Sequence, residues 1–439
     1  MMNTPICDFV EHYASKNAVR AHMPGHKGNS FLGCEALDIT EINGADSLFE
    51  AEGVIAESEK NASGIFGCNS FYSAEGASLC IRAMLYLAKL WGKNDLKIIA
   101  ARNCHKSFIS GIALLDIDID WLTPAGSYLS NGIDLAELEA KLLENAGKKV
   151  AVYITSPDYL GGMADIRAIS EICKKYNALL LVDNAHGAYL KFLENSLHPI
   201  DLGADMCCDS AHKTLPVVTG GAYLQVKDNL LAKKAKDALN LFASSSPSYL
   251  ILQSLDKANP YLHNGFKSKL AKFTARLDKT KEKLCKLGFS VIGTDKLKIV
   301  IEAKKSGYFG YELAEILENN NIYCEFADKD YLVLMLTPEN VERDLVALEN
   351  AFGNIEIKPE ICEHMPKVGI CERAVSPRDA IFAESEIINA KESLGRIFAG
   401  ANIACPPAVP IVVCGEVINE NALNAFEYYG IEKVCVIKQ

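Results

Sequence analysis

Short, unbroken apolar runs recur along this chain between longer stretches whose apolar positions return every three or four residues. Residues 52–67 show the longer period, with Val54, Ile55, Ala62, Ile65 and Phe66 falling together, and predict a helix; so do residues 79–90 and 166–176. The unbroken runs at 97–100, 150–155, 178–183, 206–208 and 221–226 predict buried strands. Strands apolar on both sides, alternating with helices, imply a mostly parallel sheet covered on both faces. Ligands of such sheets bind beyond the carboxyl ends of the strands. Asp183 closes the run at 178–183 and so stands where chemistry is expected.

The pattern changes on either side of this region. Residues 1–50 are rich in Gly, Pro and polar positions and predict an N-terminal arm. Its turn signals lie in His22-Met23-Pro24-Gly25-His26-Lys27-Gly28-Asn29. A large α/β domain is expected over 51–260. Beyond it, a basic amphipathic helix at 267–286 and short strands at 298–301 and 331–336 predict a smaller α+β domain over 261–365. A proline-containing segment, 366–439, is expected to form a further small domain.

Composition narrows the class. Of 439 residues, 49% are apolar and 23% charged, as in folded globular proteins. A net charge of −11 argues against nucleic-acid partners. The first residues carry Asp8 and Glu11 and do not read as a signal peptide, and no apolar run reaches the roughly 18 residues of a membrane span. A cytoplasmic enzyme with no membrane partner is expected. The 15 cysteines are scattered, several within apolar runs, and read as reduced thiols. Cys68 and Cys104, near the motifs below, read as packing residues, and no paired C-x-x-C spacing predicts a metal site.

Four segments carry candidate chemistry. Ser210-Ala211-His212-Lys213-Thr214-Leu215-Pro216 sets a lysine just after an apolar strand, where it can bind an aldehyde cofactor as a Schiff base, with Ser210 and His212 as phosphate donors. By itself Lys213 also fits a solvated loop. Asp183, 30 residues earlier, supplies the buried carboxylate that keeps a pyridoxal ring nitrogen protonated, although an acid after a strand also serves as a turn cap. His105, in Asn103-Cys104-His105-Lys106-Ser107, can stack on a cofactor ring or play a structural part. Gly76, Ala77 and Ser78, small residues leading into a helix, allow backbone amides to approach a phosphate. Ser-Pro turns at 155–159 and 244–249 offer hydroxyls or simply turns.

Together these segments resemble the Orn/Lys/Arg decarboxylase family of the aspartate-aminotransferase fold, in its short form without an N-terminal wing domain. The resemblance takes in His22–Gly28, Asp38-Ile39-Thr40-Glu41, Arg102–Ser107, Asp183-Asn184-Ala185-His186-Gly187-Ala188, Ser210–Pro216, Ser246-Pro247-Ser248-Tyr249 and Ser254-Leu255-Asp256. Toward the end it includes Ser376-Pro377-Arg378-Asp379 and the segment from Pro406-Pro407-Ala408 to Gly415-Glu416. It implies a fold-type-I large domain that binds pyridoxal 5′-phosphate (PLP), with smaller α+β C-terminal domains, and α-decarboxylation of lysine, ornithine or arginine. Lys213 would carry the cofactor, Asp183 face its ring nitrogen, His105 stack on the ring and Ala185 pack behind it, with His186 also in the cofactor site. Ser210, His212 and the turn at Gly76, Ala77 and Ser78 would hold the phosphate, and Lys213 or His212 would move the proton. Ser246 would reach the cofactor of a partner subunit in a homodimer.

This chain departs from the family pattern at Ala77, where threonine is usual, at Asn184, where glutamate is usual, and at Cys405, Ala408 and Cys414. Glu416 is the first candidate for the acid that receives the substrate's cationic end, and Asp46 the second. Another reaction of the same fold (aminotransfer or a lyase reaction) and a non-catalytic PLP-binding protein are the alternatives.

Overall fold

The computed structural model describes residues 2–125, 132–401, 404–405 and 409–439. Pro406, Pro407 and Ala408 of the C-terminal motif lie outside them. In chain order the elements through residue 226 are α1 (Pro5–Ser15), α2 (Val54–Phe66), β1 (Asn69–Ser73), α3 (Gly76–Gly92), β2 (Leu96–Ala101), α4 (Lys106–Leu115), β3 (Asp118–Leu122), α5 (Leu135–Glu144), β4 (Lys149–Thr155), α6 (Ile166–Lys175), β5 (Leu179–Asp183), α7 (Pro199–Leu202), β6 (Met206–Asp209), α8 (Ala211–Thr214) and β7 (Ala222–Val226). The chain divides into two compact units. One comprises Met1–Asn94 and Leu179–Lys269, the other Asp95–Ala178 and Leu270–Gln439.

In the first unit the strands are ordered β1-β7-β6-β5. β5 and β6 run parallel, with Asp183 opposite Cys208. β7 is antiparallel to both β6 and β1, so this part of the sheet is less uniformly parallel than the apolar runs imply. After α8 the chain reverses at Gly220 and Gly221 directly into β7. Gly220 has φ +100°, and a Cβ there would lie 3.0 Å from the Ala74 carbonyl oxygen and 2.9 Å from Ile251, so glycine suits the reversal.

The N-terminal region is not all arm. α1 forms within it and buries Ile6, Cys7 and Val10. Thr4 makes no side-chain cap on this helix. The cap comes instead from Asp256, whose Oδ2 accepts the amides of Ile6 and Cys7 at 2.9 and 3.0 Å while Oδ1 accepts Ser58 Oγ at 2.5 Å. A carboxylate 250 residues away satisfies the open amides of the first turn.

In the second unit β4, β2 and β3 are mutually parallel, with β2 in the middle. β3 is an end strand and alternates acids with apolar residues; Lys97 on β2 meets its Asp118 and Asp120 at 3.2 and 2.9 Å. A four-stranded antiparallel sheet follows, built from Val291–Ile292, Lys298–Glu302, Phe326–Ala327 and Tyr331–Met335. The last segment pairs Ser385–Asn389 with Lys433–Ile437. Its Phe398, Ile411, Phe426 and Val436 share one apolar cluster with Val300 and Val333 of the four-stranded sheet. No helix among the described residues is long and apolar enough to cross a membrane.

Candidate active site

The parallel pairing of β5 and β6 brings two chemical segments of the first unit to the same end of adjacent strands. β5 ends in Asp183. β6 ends in Asp209 and leads through Ser210 into α8, the single helical turn that carries His212 and Lys213. Asp183 is 2% exposed; its Oδ1 accepts the Ala185 amide at 3.1 Å and the Cys208 thiol at 3.5 Å. Ala185 is thus placed by the acid itself, in a tight turn that also presents His186. Lys213 is half-buried, and its Nζ lies 2.9 Å from His186 Nε2. A charged Nζ can only donate, so His186 accepts through Nε2 in that state.

His212 points elsewhere. Its Nδ1 lies 2.9 Å from the Gly221 carbonyl oxygen, which can only accept, so Nδ1 carries the proton and Nε2 of the neutral ring is an acceptor. Burial and the neighbouring Lys213 charge hold this imidazole below its ordinary value, against the pull of the Gly221 carbonyl. The histidine in contact with the Lys213 amine is therefore His186, which sequence reasoning grouped with the cofactor residues without giving it a proton-transfer role.

The first turn of α3 comes close to His212. Gly76 opens α3 with φ +71°, and its amide donates to the Gly220 carbonyl at 2.7 Å. A Cβ at Gly76 would sit 3.9 Å from His212 Cε1, which sets the imidazole alongside the first turn of the helix. Glu75, the N-cap, makes no side-chain capping bond, so the amides that follow are not capped by it. Amides at the positive end of a 17-residue helix, the Ser78 hydroxyl and an imidazole make a donor set suited to a phosphate dianion. A neutral His212 offers its Nε2 lone pair, so a bond to phosphate through that atom requires the imidazolium, which the dianion favours. The Ser-Pro segment reaches the same turn: the Ser244 amide donates to Glu75 Oε1 at 2.7 Å, and Ser246 is exposed.

Two other predicted residues belong to the second unit. His105 is the N-cap of α4; its Nδ1 accepts the Ser107 amide at 3.2 Å and lies 2.9 Å from Ser107 Oγ. Glu416 departs from its expected role as the acid for a substrate's cationic end. It is 1% exposed, both oxygens engage Arg102 at 2.7 Å, and Oε2 also accepts the Val413 amide at 2.9 Å. An Arg fork held in both oxygens leaves the carboxylate committed within the fold. Arg102 also lies against Trp121, 4.8 Å from the ring centroid. Asp46 departs likewise. Its carboxylate accepts the amides of Ser47, Glu52, Gly53, Ile55 and Ala56 around the start of α2, and these bonds outweigh burial to lower its pKa.

Sequence reasoning passed over a buried cluster behind Asp183. Asp209 Oδ1 accepts Asn184 Nδ2 at 2.5 Å, Oδ2 accepts Gln225 Nε2 at 3.0 Å, and His198 Nε2 lies 3.1–3.2 Å from both oxygens. The Cys207 thiol lies 3.9 Å from His198 Nε2. His198, Cys207 and Asp209 also satisfy the spacing of a cation's ligands. The carboxylate already meets three donors, however, and burial pushes the Cys207 thiol well up, which favours its protonated form. We describe the group as a hydrogen-bonded cluster. The available signal was a polar residue, Asp209, closing the apolar run of β6.

Comparison with known proteins bears on this arrangement. A family model described as Orn/Lys/Arg decarboxylase, major domain, matches residues 4–298. The chain belongs to that family. It is an amino-acid decarboxylase, a carboxy-lyase of the kind that acts on basic amino acids. Among relatives of this Orn/Lys/Arg decarboxylase, an arginine decarboxylase of Halalkalibacterium halodurans is 30% identical over 96% of this chain and 92% of its own length. An arginine decarboxylase of Bacillus subtilis is 29% identical with the same coverage. Among solved structures, the constitutive lysine decarboxylase of E. coli covers the whole chain, and 82% of its own, with a TM-score of 0.80 at 17% identity. Lysine decarboxylase A of Pseudomonas aeruginosa gives 0.82, covering 99% of this chain and 80% of its own, also at 17% identity. These structures share the fold, as does one described as SPT with PLP, at a TM-score of 0.56 and 14% identity over 70% of this chain and 79% of its own.

Proposed function

We propose that this chain is a PLP-dependent α-decarboxylase whose substrate is arginine, with lysine and ornithine as the competing basic amino acids. The observation that carries the reading is the Lys213–His186 pair set next to Asp183 at the ends of two parallel strands. The choice of arginine is supported by the near full-length relatives, which are named arginine decarboxylases.

The residues fit the cofactor. Bound there, PLP supplies an aldehyde that takes the substrate amine and a protonated ring that accepts the electron pair left at Cα when CO₂ departs. Lys213 Nζ would be the covalent attachment point, and His186 Nε2, 2.9 Å away, would receive that amine whenever it is free. Asp183, buried and held by Ala185 and Cys208, would keep the proton on the ring nitrogen. The amides of Ala77 and Ser78, with Ser210 and His212, would hold the phosphate. His186 accepts from Nζ and would so orient that amine for proton delivery to Cα. The same reading makes the protein a cytoplasmic homodimer that supplies amine for polyamine synthesis, with Ser246 directed to the partner's cofactor.

The test is an absorption spectrum of purified protein followed by CO₂ release from carboxyl-labelled arginine, lysine and ornithine. A visible cofactor band that is lost in Lys213→Ala, with CO₂ released from arginine foremost, supports the assignment. A band without CO₂ from any of the three moves the function to another PLP reaction. No band after adding cofactor refutes the cofactor assignment.

A further inference from the structure

The cluster around Asp209 has no part in the chemistry above, yet it touches both segments that carry it. Asp209 and Asn184 are fully buried. Asn184 follows Asp183 directly and precedes His186 by two residues. Its amide donates to the Cys208 carbonyl at 3.0 Å, and its carbonyl accepts the Gly187 amide at 2.7 Å. Its side chain donates to Asp209, the residue before Ser210. The turn that presents Asp183 and His186 is thus tied to β6 by one backbone bond and one side-chain bond. Both end on the two residues that lead into the Lys213 turn.

Close packing supports the same reading. A Cβ at Gly187 would lie 2.0 Å from Asn184 Oδ1, so the amide turns inward only because residue 187 is glycine. Asp209 is an acceptor-only group among three converging donors, Asn184, His198 and Gln225. Gln225 in turn accepts Ser70 Oγ at 2.5 Å and the Cys68 thiol at 3.2 Å, which ties the cluster to β1 and to the residue before it. Asn184 Oδ1 and His198 Nδ1 meet no partner among the described residues, so it is the three bonds converging on Asp209 that hold the geometry. A carboxylate at position 184 would face that of Asp209 across a 2.5 Å contact, and asparagine avoids that repulsion.

We propose that Asn184 and Asp209 are a pair of positioning residues, an amide–carboxylate latch that fixes Asp183 and His186 relative to Lys213. The inference rests on the reading of Lys213 as the cofactor lysine. The latch acts through the Asp183 turn and touches no reacting atom.

The test uses Asn184→Asp, which sets two carboxylates against each other, and the exchange Asn184→Asp with Asp209→Asn, which restores an amide–carboxylate pair of reversed polarity. Cofactor-free protein is treated with formaldehyde and cyanoborohydride, and the rate at Lys213 is read by peptide mass spectrometry against exposed Lys175. Displacing His186 removes one bond that holds Nζ in place, so Asn184→Asp is expected to speed Lys213 labelling at least about fivefold. In holoenzyme, the same variant is expected to bind PLP at least about tenfold more weakly and to lose kcat with little change in KM. The exchange variant is expected to return all three to within about threefold of the parent.

A merely structural role would lower the melting temperature of Asn184→Asp while leaving the Lys213 rate and PLP affinity of the folded protein unchanged. That result overturns the proposal, as does an exchange variant no better than the single one. Should Asn184→Asp not fold, Asn184→Leu removes the donor without adding charge and is held to the same outcomes. If the parent protein neither loads PLP nor releases CO₂, the proposed function fails, while the Lys213 labelling rate still decides the latch.

Discussion

Replacing Glu416 by alanine leaves the Arg102 guanidinium buried without its counter-charge. The two groups meet through two bonds of 2.7 Å, and their side chains are 0% and 2% exposed. Breaking a buried pair from one side typically costs about 3–5 kcal/mol, because the remaining charge is uncompensated. At about 2 °C per kcal/mol for a unit of this size, the melting temperature of cofactor-free protein should fall by about 6–10 °C. Replacing both partners, Arg102→Met with Glu416→Leu, removes the stranded charge and should recover most of the loss. Differential scanning of the three proteins, with KM for arginine measured in parallel, checks this. A Glu416→Ala protein that melts within about 1 °C of its parent while KM rises would refute the reasoning and return Glu416 to the substrate.

Further outcomes follow from the same geometry. Asp183→Asn should lower kcat by about two to four orders of magnitude with cofactor still bound, on the scale of a lost preorganised electrostatic contact; turnover like the parent's would remove Asp183 from its role. Asp256→Ala should cost about 2–4 kcal/mol by stranding the amides of Ile6 and Cys7, and limited proteolysis should then cut near α1 first. Burial pushes the Glu349 carboxyl up, but bonds from Thr280, Lys283 and Arg276 outweigh it and bring the group down to about 2. Its folded value lies below its unfolded one, so this stabilisation is complete above about pH 4.5 and is lost as pH falls toward 2. Glu349→Gln should therefore flatten the acid limb of a stability profile between those values, and an unchanged limb would show that the bonds contribute little.

The sequence by itself determined the elements whose stability is local. Unbroken apolar runs fixed β2, β4, β5, β6 and β7 to within about two residues, the usual uncertainty of such boundaries. A run buried on both faces leaves few alternatives. The same patterns set Asp183 and Lys213 after their strands, and parallel pairing of β5 with β6 then brought their segments to one end of the sheet. β1 and β3 were not legible. Asn69-Ser70-Phe71-Tyr72-Ser73 and Asp118-Ile119-Asp120-Trp121-Leu122 alternate polar with apolar residues, and their strand character depends on the neighbours they pair with. α1 was hidden for a related reason, since its cap is Asp256.

Side-chain partners across long sequence separations were decided only by the tertiary structure. Glu416 reads from its motif as an available acid; Arg102, 314 residues away, takes both of its oxygens. Asp209 reads as the polar end of a strand, yet it gathers Asn184, His198 and Gln225. His186, not His212, stands at the Lys213 amine because the Gly220 and Gly221 reversal gives His212 a carbonyl to bind. Periodicity in a chain reports which faces are buried, because burial depends on each residue's own transfer free energy. Which donor meets which acceptor depends on where two distant segments converge, and that is set by packing rather than by any single stretch of sequence.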